Sequence, residues 1–289
     1  MERKKGFTLV ELLVVIAIIA LLMGILMPAL GRVRQLAYRL HCGTNLSGIG
    51  KAMLIYSNDF GDKLPRAGFK ESVWSATIPN WRNVSRTSAF NSSRGSAASI
   101  TSNFFLLIKY AEVTPDLFVC KSDSETEKFA LSETDLANTG AELIDCWDFG
   151  PTPQAHCSYS YHSPFGSFGL TSSSDPGMAM AGDPNPWLNS PGFAARPTAP
   201  DWNEFDPDGD KAKIRLGNAR PHQEDGQNVV YMDGHVDFEK SSACGVDGDN
   251  VFTKWGSAPE DRQKGVRPNP GDTLADKADS LLLTDGSSD

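Results

Sequence analysis

From Phe7 to Leu30 the chain is apolar at almost every position, with Thr8 and Glu11 as the polar interruptions. About 20 apolar residues in a row is the length a helix needs to cross the hydrocarbon core of a bilayer. From Val33 the pattern changes. Val33, Leu36, Ala37, Leu40, Leu46, Ile49, Met53 and Tyr56 recur mostly three and four residues apart, the signature of a helix with one face to bury. One continuous helix is therefore expected over 7–61, with 7–30 crossing a membrane and 31–61 amphipathic. Pro28 lacks the N–H for its helical hydrogen bond and predicts a kink. Gly43, Gly48 and Gly50 each weaken the second half by up to about 1 kcal/mol relative to alanine. Asn58, Asp59 and Gly61 supply the stop signals. From Phe7 to Tyr56 such a helix is about 75 Å long at ~1.5 Å per residue, half of it in need of a globular partner.

That partner begins near Leu64-Pro65 and extends to residue 257. The Ser-rich stretch 85–102 reads as an exposed loop. Residues 103–113 (NFFLLIKYAEV) predict a short apolar helix, Leu117–Cys120 a short buried strand, and the alternating 158–161 (SYSY) another strand. The Pro- and Gly-crowded segment 175–201 reads as irregular. In NVVYMDGHVDF (228–238), Val229, Val230 and Tyr231 lead into Asp233-Gly234, and Val236 and Phe238 lead out, which predicts a hairpin. Residues 258–289 are rich in Pro, Asp and Lys and apolar only at Leu281–Leu283, so a mobile tail is expected there. The fold class is α+β, a long N-terminal helix packed on an antiparallel sheet with extended irregular loops.

Net charge is −9 over 289 residues, which argues against a phosphate-binding surface and so against a nucleic-acid partner. Five cysteines, Cys42, Cys120, Cys146, Cys157 and Cys244, include no C-x-x-C pair, so a zinc ribbon has little support. An odd count leaves at least one thiol unpaired within the chain. Cys146 and Cys157 flank a short Pro-containing loop that a bridge could close, and Cys42 with Cys120 would tie the long helix to the body. Buried thiols are the alternative to either bridge.

A carboxylate at mid-bilayer costs roughly 2.5–3.5 kcal/mol, so an anchor selected for hydrophobicity alone would not carry Glu11. The run Lys5, Gly6, Phe7, Thr8, Leu9, Glu11, followed by an apolar helix, resembles the processing site of type IV prepilins and type II secretion pseudopilins. The resemblance covers the first fifth of the chain. It implies a leader over 1–6, cleavage of the Gly6–Phe7 bond by a membrane prepilin peptidase, and methylation of the new Phe7 amine by the same enzyme. It also implies that Glu11 meets the N-terminal amine of a neighbouring subunit during assembly. Implied partners are the peptidase/methyltransferase, other pilin or pseudopilin subunits and an inner-membrane assembly platform. Arg3, Lys4 and Lys5 favour a cytoplasmic start, while Arg32 and Arg34 partly oppose it, so the extracytoplasmic placement of the body rests on the resemblance.

A second resemblance, to a pseudopilin-like group of planctomycete-type bacteria, rests on several ordered fragments. These are Cys42, Asn45-Leu46, Ile49-Gly50 and Tyr56, then Phe118, Cys120 and Ser122-Asp123, then the SYSY run, and last a His-x9-Asp-Gly-like region. Here ten residues separate His222 from Asp233, one more than in that motif. His222 reads as a ligand or base, or as a loop histidine bonded to the hairpin, and the second reading is favoured because no nucleophile or metal set accompanies it. No serine sits in a G-x-S-x-G context, and no enzyme activity is expected. Asp206, Asp208 and Asp210 alternate around Gly209 in a way that suits calcium, although the run lacks the last glutamate of an EF-hand. The resemblance adds weight, since major pseudopilins hold calcium in a loop. The expected function is a structural fibre subunit. The alternative is a membrane-tethered extracytoplasmic solute- or glycan-binding protein, with Trp74, Trp81, Trp187 and Trp202 on its loops.

Overall fold

A computed structural model describes residues 8–83, 85–91, 96–132, 142–189, 198–256 and 261–286. Its dominant element is helix α1, Leu9–Asp59, which runs without a break through Pro28. Phe60 caps its end, the Phe60 N–H donating to the Tyr56 and Ser57 carbonyls. The two halves of α1 live in different surroundings. Every Leu, Ile, Val and Met between Leu9 and Leu30 is at least 45 % exposed. From Cys42 onward, Cys42, Asn45, Leu46, Ile49, Gly50, Ala52, Met53 and Tyr56 are buried.

What buries them is an antiparallel five-stranded sheet in the order β6-β5-β4-β3-β7. Its strands are β3 (Ser160–His162), β4 (Ala179–Gly182), β5 (Gln227–Tyr231), β6 (Val236–Glu239) and β7 (Leu282–Leu283). A separate parallel pair joins β1 (Val73–Trp74) to β2 (Ala97–Ala98). The β5–β6 hairpin forms at the expected place, with Val230 opposite Val236 and Gly234 at a φ of 86° in the turn. Helix α2 (Arg86–Phe90) and helix α3 (Ile100–Tyr110) follow the first pair's strands, and α3 packs against both α1 and β3.

Leu46, Ile49 and Met53 are fully buried with Phe104, Phe105, Phe118 and Tyr161 in one core under α1. Each such aliphatic side chain contributes about 1.5–3 kcal/mol, so this face is a major attachment of the helix to the sheet. The opposite face of the sheet is covered as well, by Trp187, Phe205 and Phe252 over Ala179, Val229, Tyr231 and Leu282. Trp187 is therefore core, not an exposed loop residue, and β5 is buried on both sides.

Gly48 and Gly50 of α1 have a packing reason that outweighs their low helix propensity. A Cβ on Gly50 would lie 2.6 Å from Val230 Cγ2, and one on Gly48 would lie 3.0 Å from Leu117 Cδ1. Gly50→Ala gains about 1 kcal/mol of helix propensity, but forcing a methyl against a buried, stiff valine costs about 1–3 kcal/mol. The expected result is a net loss of stability in urea unfolding. A more stable Gly50→Ala protein would show that the close approach is slack.

Several expectations need correction. The 85–102 stretch is not simply a loop: Ser85 caps α2 and Ser99 caps α3, the Ser99 hydroxyl accepting from Ser102 N at 3.0 Å. Leu117–Cys120 is no strand, because Pro115 at the start of Pro115–Phe118 seeds a 3-10 turn there. The irregular 175–201 segment contains β4. The C-terminal stretch is not a mobile tail over 261–286: Leu281, Leu282 and Leu283 are fully buried, and β7 pairs with β3.

Buried carboxyls in this domain set a pH dependence. Burial pushes Asp148 up to about 8, with the neighbouring Asp285 charge reinforcing it. Burial likewise raises Asp249 to about 7 and Asp279 to about 6. A carboxyl whose folded value exceeds its unfolded one binds more protons when folded, so stability falls as pH rises. The melting temperature should decline between pH 5 and 8, and Asp148→Asn should flatten the decline. A melting temperature that rises across that window would contradict the assignment.

Candidate functional site

Two places carry chemistry. The first is the N-terminal end of α1. Gly6 and Phe7, the expected cleavage and methylation residues, lie outside the described residues. Just after them, Thr8 and Glu11 form a reciprocal capping box. Glu11 Oε2 accepts from Thr8 N at 2.8 Å and from Thr8 Oγ1 at 2.7 Å, while Glu11 N donates to Thr8 Oγ1 at 3.3 Å. Such a box satisfies helix-end N–H groups that nothing else reaches. Glu11 therefore has a local role within its own chain, which sequence reasoning overlooked although T-x-x-E is the signal for it. Around it, the apolar surface of α1 meets no other part of the described protein. Among the described residues α1 is the one helix long and apolar enough to span a membrane.

The second place is buried where α1 meets the sheet. Cys42 of α1 and Cys120, just after the 3-10 turn, are joined by a disulfide, their Cα atoms 5.4 Å apart. Beside it His222 and Asp183 pair, His222 Nε2 to Asp183 Oδ2 at 3.1 Å, both fully buried. Asp183 follows β4, and the backbone N–H and side-chain amide of Asn228 on β5 donate to the same oxygen at 2.6 and 3.1 Å. His222 Nδ1 lies 3.3 Å from Ser122 Oγ, and its Nε2 lies 4.0 Å from Cys120 Sγ. Arg39 of α1 closes the assembly from outside, donating to His222 O at 3.3 Å and to Asp225 at 2.6 Å. The Arg39 guanidinium also lies 4.6 Å from the centre of the Phe238 ring.

The disulfide limits the metal ligands available beside this histidine. The donor atoms of Cys42, Cys120, Asp183 and His222 lie within 4.8 Å of one another. With the two sulfurs bonded to each other no thiolate remains, and His222 with Asp183 supplies two ligands where a structural zinc takes four. The cluster instead acts as a clamp that ties α1, the 3-10 turn, β4, β5 and the His222 loop together. His222 is thus bonded to the hairpin, the role the sequence favoured. Asp183 escaped the sequence reading as a single polar residue in a stretch without a motif, and Asn228 because the hairpin pattern assigns no role to its first, polar position.

The other sequence candidates are scattered. Cys146 and Cys157 do not bridge. The Cys146 thiol donates to Glu142 O at 3.8 Å and the Cys157 thiol to Tyr159 O at 3.7 Å. Cys146 is held to a different neighbour, Arg82 bridging it and Trp147 N donating to Trp81 O at 2.7 Å. Asp206, Asp208 and Asp210 do not converge on one point. Asp206 Oδ1 accepts from Asp208 N at 3.2 Å, and Asp210 Oδ1 caps the Lys211–Arg215 helix through Ala212 N at 3.0 Å. Lys213 Nζ stands 3.8 Å from Asp206. Asp233 and His235 bond one another in the hairpin turn.

Residues 1–27 match the family model for the prokaryotic N-terminal methylation motif. That match supports a prepilin-like subunit with a single N-terminal membrane helix, and it ends well before the globular part. No curated protein and no solved structure matches the chain.

Proposed function

We propose that this chain is a structural subunit of a type II secretion or type IV pilus-like fibre. It is cleaved after Gly6, N-methylated on Phe7, and assembled through its apolar helix. The observation that carries this reading is the division of α1: an apolar half with no intramolecular partner, continuous with a half fixed in the domain core. Lipid covers the first half before assembly and neighbouring copies of the same helix cover it afterwards. Because each subunit would meet the next through different surfaces, the contact repeats without closing and yields an open filament. The body then lies on the extracytoplasmic side, where the Cys42–Cys120 disulfide is chemically at home. The partners are the peptidase/methyltransferase, the other subunits and an inner-membrane platform. The buried polar cluster contributes rigidity, not catalysis. The ordered fragments from Cys42 to the His222 and Asp233-Gly234 region support reading the chain as a planctomycete-type pseudopilin-like protein. Calcium, as a stabilising ion of the loop, would have to draw the separately bonded carboxylates of Asp206, Asp208 and Asp210 together.

The test is shearing of cells expressing the full chain, followed by separation of fibres from membranes. The subunit should appear in the sheared fraction in a prepilin-peptidase-dependent way. Confinement to membranes under all conditions would contradict the reading.

A further inference from the structure

The far end of α1 opens onto a cavity of about 680 Å³. Its walls come from three segments, the Tyr56–Phe60 end of α1, the loop 63–70 and the stretch after β3, with Arg86 of α2 closing one side. Two features set it apart. Four cations, Lys63, Arg66, Lys70 and Arg86, line it and no Asp or Glu does, in a chain whose net charge is −9. Beside the cations stands an aromatic wall, the half-buried rings of Phe60 and Phe69, with buried Tyr56 stacked behind Phe60 at 4.0 Å between ring centres.

The arginines are fixed in place. Arg86 Nη2 donates to Arg66 O and to Gly68 O, both at 2.7 Å, and its Nε donates to Gly68 O at 3.0 Å. Arg66 Nη2 donates to Lys70 O at 2.7 Å and to Gly166 O at 3.3 Å. A guanidinium anchored on carbonyls keeps its charge and needs little reordering when an anion arrives. The lysines are exposed at the rim and can close on a ligand. Ser167 and Thr171 also line the cavity. The cavity has the volume of a small-molecule pocket, apolar in the main with a few polar groups that set orientation.

We propose that this cavity binds an acidic oligosaccharide, one whose sugar rings lie on the aromatic wall and whose carboxylate or sulfate groups meet the four cations. Sugars present C–H faces to aromatic rings and hydroxyls to serine and threonine. The acidic groups account for a cationic lining on an anionic protein. The site lies about 70 Å along α1 from its N-terminal end at ~1.5 Å per residue, far from the membrane-spanning half. It does not depend on whether the chain polymerises.

The experiment is calorimetric titration of the full chain in detergent with trigalacturonate, with a sulfated trisaccharide, and with neutral maltotriose. Binding of at least one acidic probe is expected, weakening as salt is raised, with maltotriose much weaker. Reversing both rim charges in Lys63→Glu/Lys70→Glu should reduce affinity about tenfold or more. Lys213→Glu, outside the cavity, should leave it unchanged. The rim lysines carry no core packing, and an unaltered melting temperature of the double variant confirms that it folds. No binding of either acidic probe, equal affinity for maltotriose, or undiminished binding by the folded double variant would overturn the proposal.

Discussion

Asp183→Ala should lower the stability of the globular domain by about 3–5 kcal/mol, because it strands several buried polar partners at about 1–3 kcal/mol each. One oxygen of Asp183 accepts from Asn228 twice and faces His222 at 3.1 Å, all three residues being buried. Deleting the carboxylate strands two Asn228 donors and the imidazole where water does not reach, and each stranded group costs its own desolvation. In a domain of this size that corresponds to a fall in melting temperature of roughly 6–20 °C. Asp183→Asn, which keeps the shape and one acceptor, should lose less. Because the pair abuts the disulfide, its effect should not add to that of Cys42→Ser, which alone costs about 2–5 kcal/mol. Groups in one network couple. Urea unfolding of the two single variants and the double one measures this. An Asp183→Ala protein as stable as the parent would mean that the cluster clamps nothing.

Glu11→Leu should abolish entry into fibres while leaving membrane insertion intact. The prediction is sharper for the capping box, because Glu11 now has two candidate roles. One is local, accepting from Thr8 N and Thr8 Oγ1. The other is intermolecular, neutralising a neighbour's Phe7 amine once the subunit's carboxylate enters an apolar bundle where an unpaired charge is expensive. Glu11→Gln separates them. Glutamine serves a capping box as well as glutamate does, but it carries no charge. If the charge pair drives assembly, both variants stay in the membrane fraction. Normal fibre incorporation of Glu11→Gln would assign the residue to capping alone. Cleavage should proceed in both, since Gly6 and Phe7 are untouched.

Legibility followed the physics of each segment. The long helix and the hairpin could be read because their patterns extend over many residues: spacing of three and four along α1, and alternation around Asp233-Gly234 in β5–β6. Strand β4 (Ala179–Gly182) could not, since a strand buried on both faces shows no alternation and its residues sit among prolines and glycines. Strand β7 is two residues long and gains its place only from Tyr161 and His162 opposite. The Ser-rich stretch looked like a loop because serine caps and serine loops read alike until a helix is seen to follow. Spacing left the cysteine pairing open, and the fold selected Cys42–Cys120 by bringing α1 onto the 3-10 turn. The Gly43, Gly48 and Gly50 positions looked like weaknesses, and only the closeness of Asn228, Leu117 and Val230, in that order, gives them a purpose. At the candidate sites, Glu11 stood out as a charge in an apolar run, whereas Asp183 and Asn228 acquire meaning from each other.

The central claim, that the chain is matured at Gly6–Phe7 into an assembling subunit, is tested most directly by intact mass and N-terminal sequencing of the protein recovered from its native membranes. The account predicts a chain that begins at N-methylated Phe7. A terminus at Met1 or Glu2, or cleavage near Leu30, would contradict it.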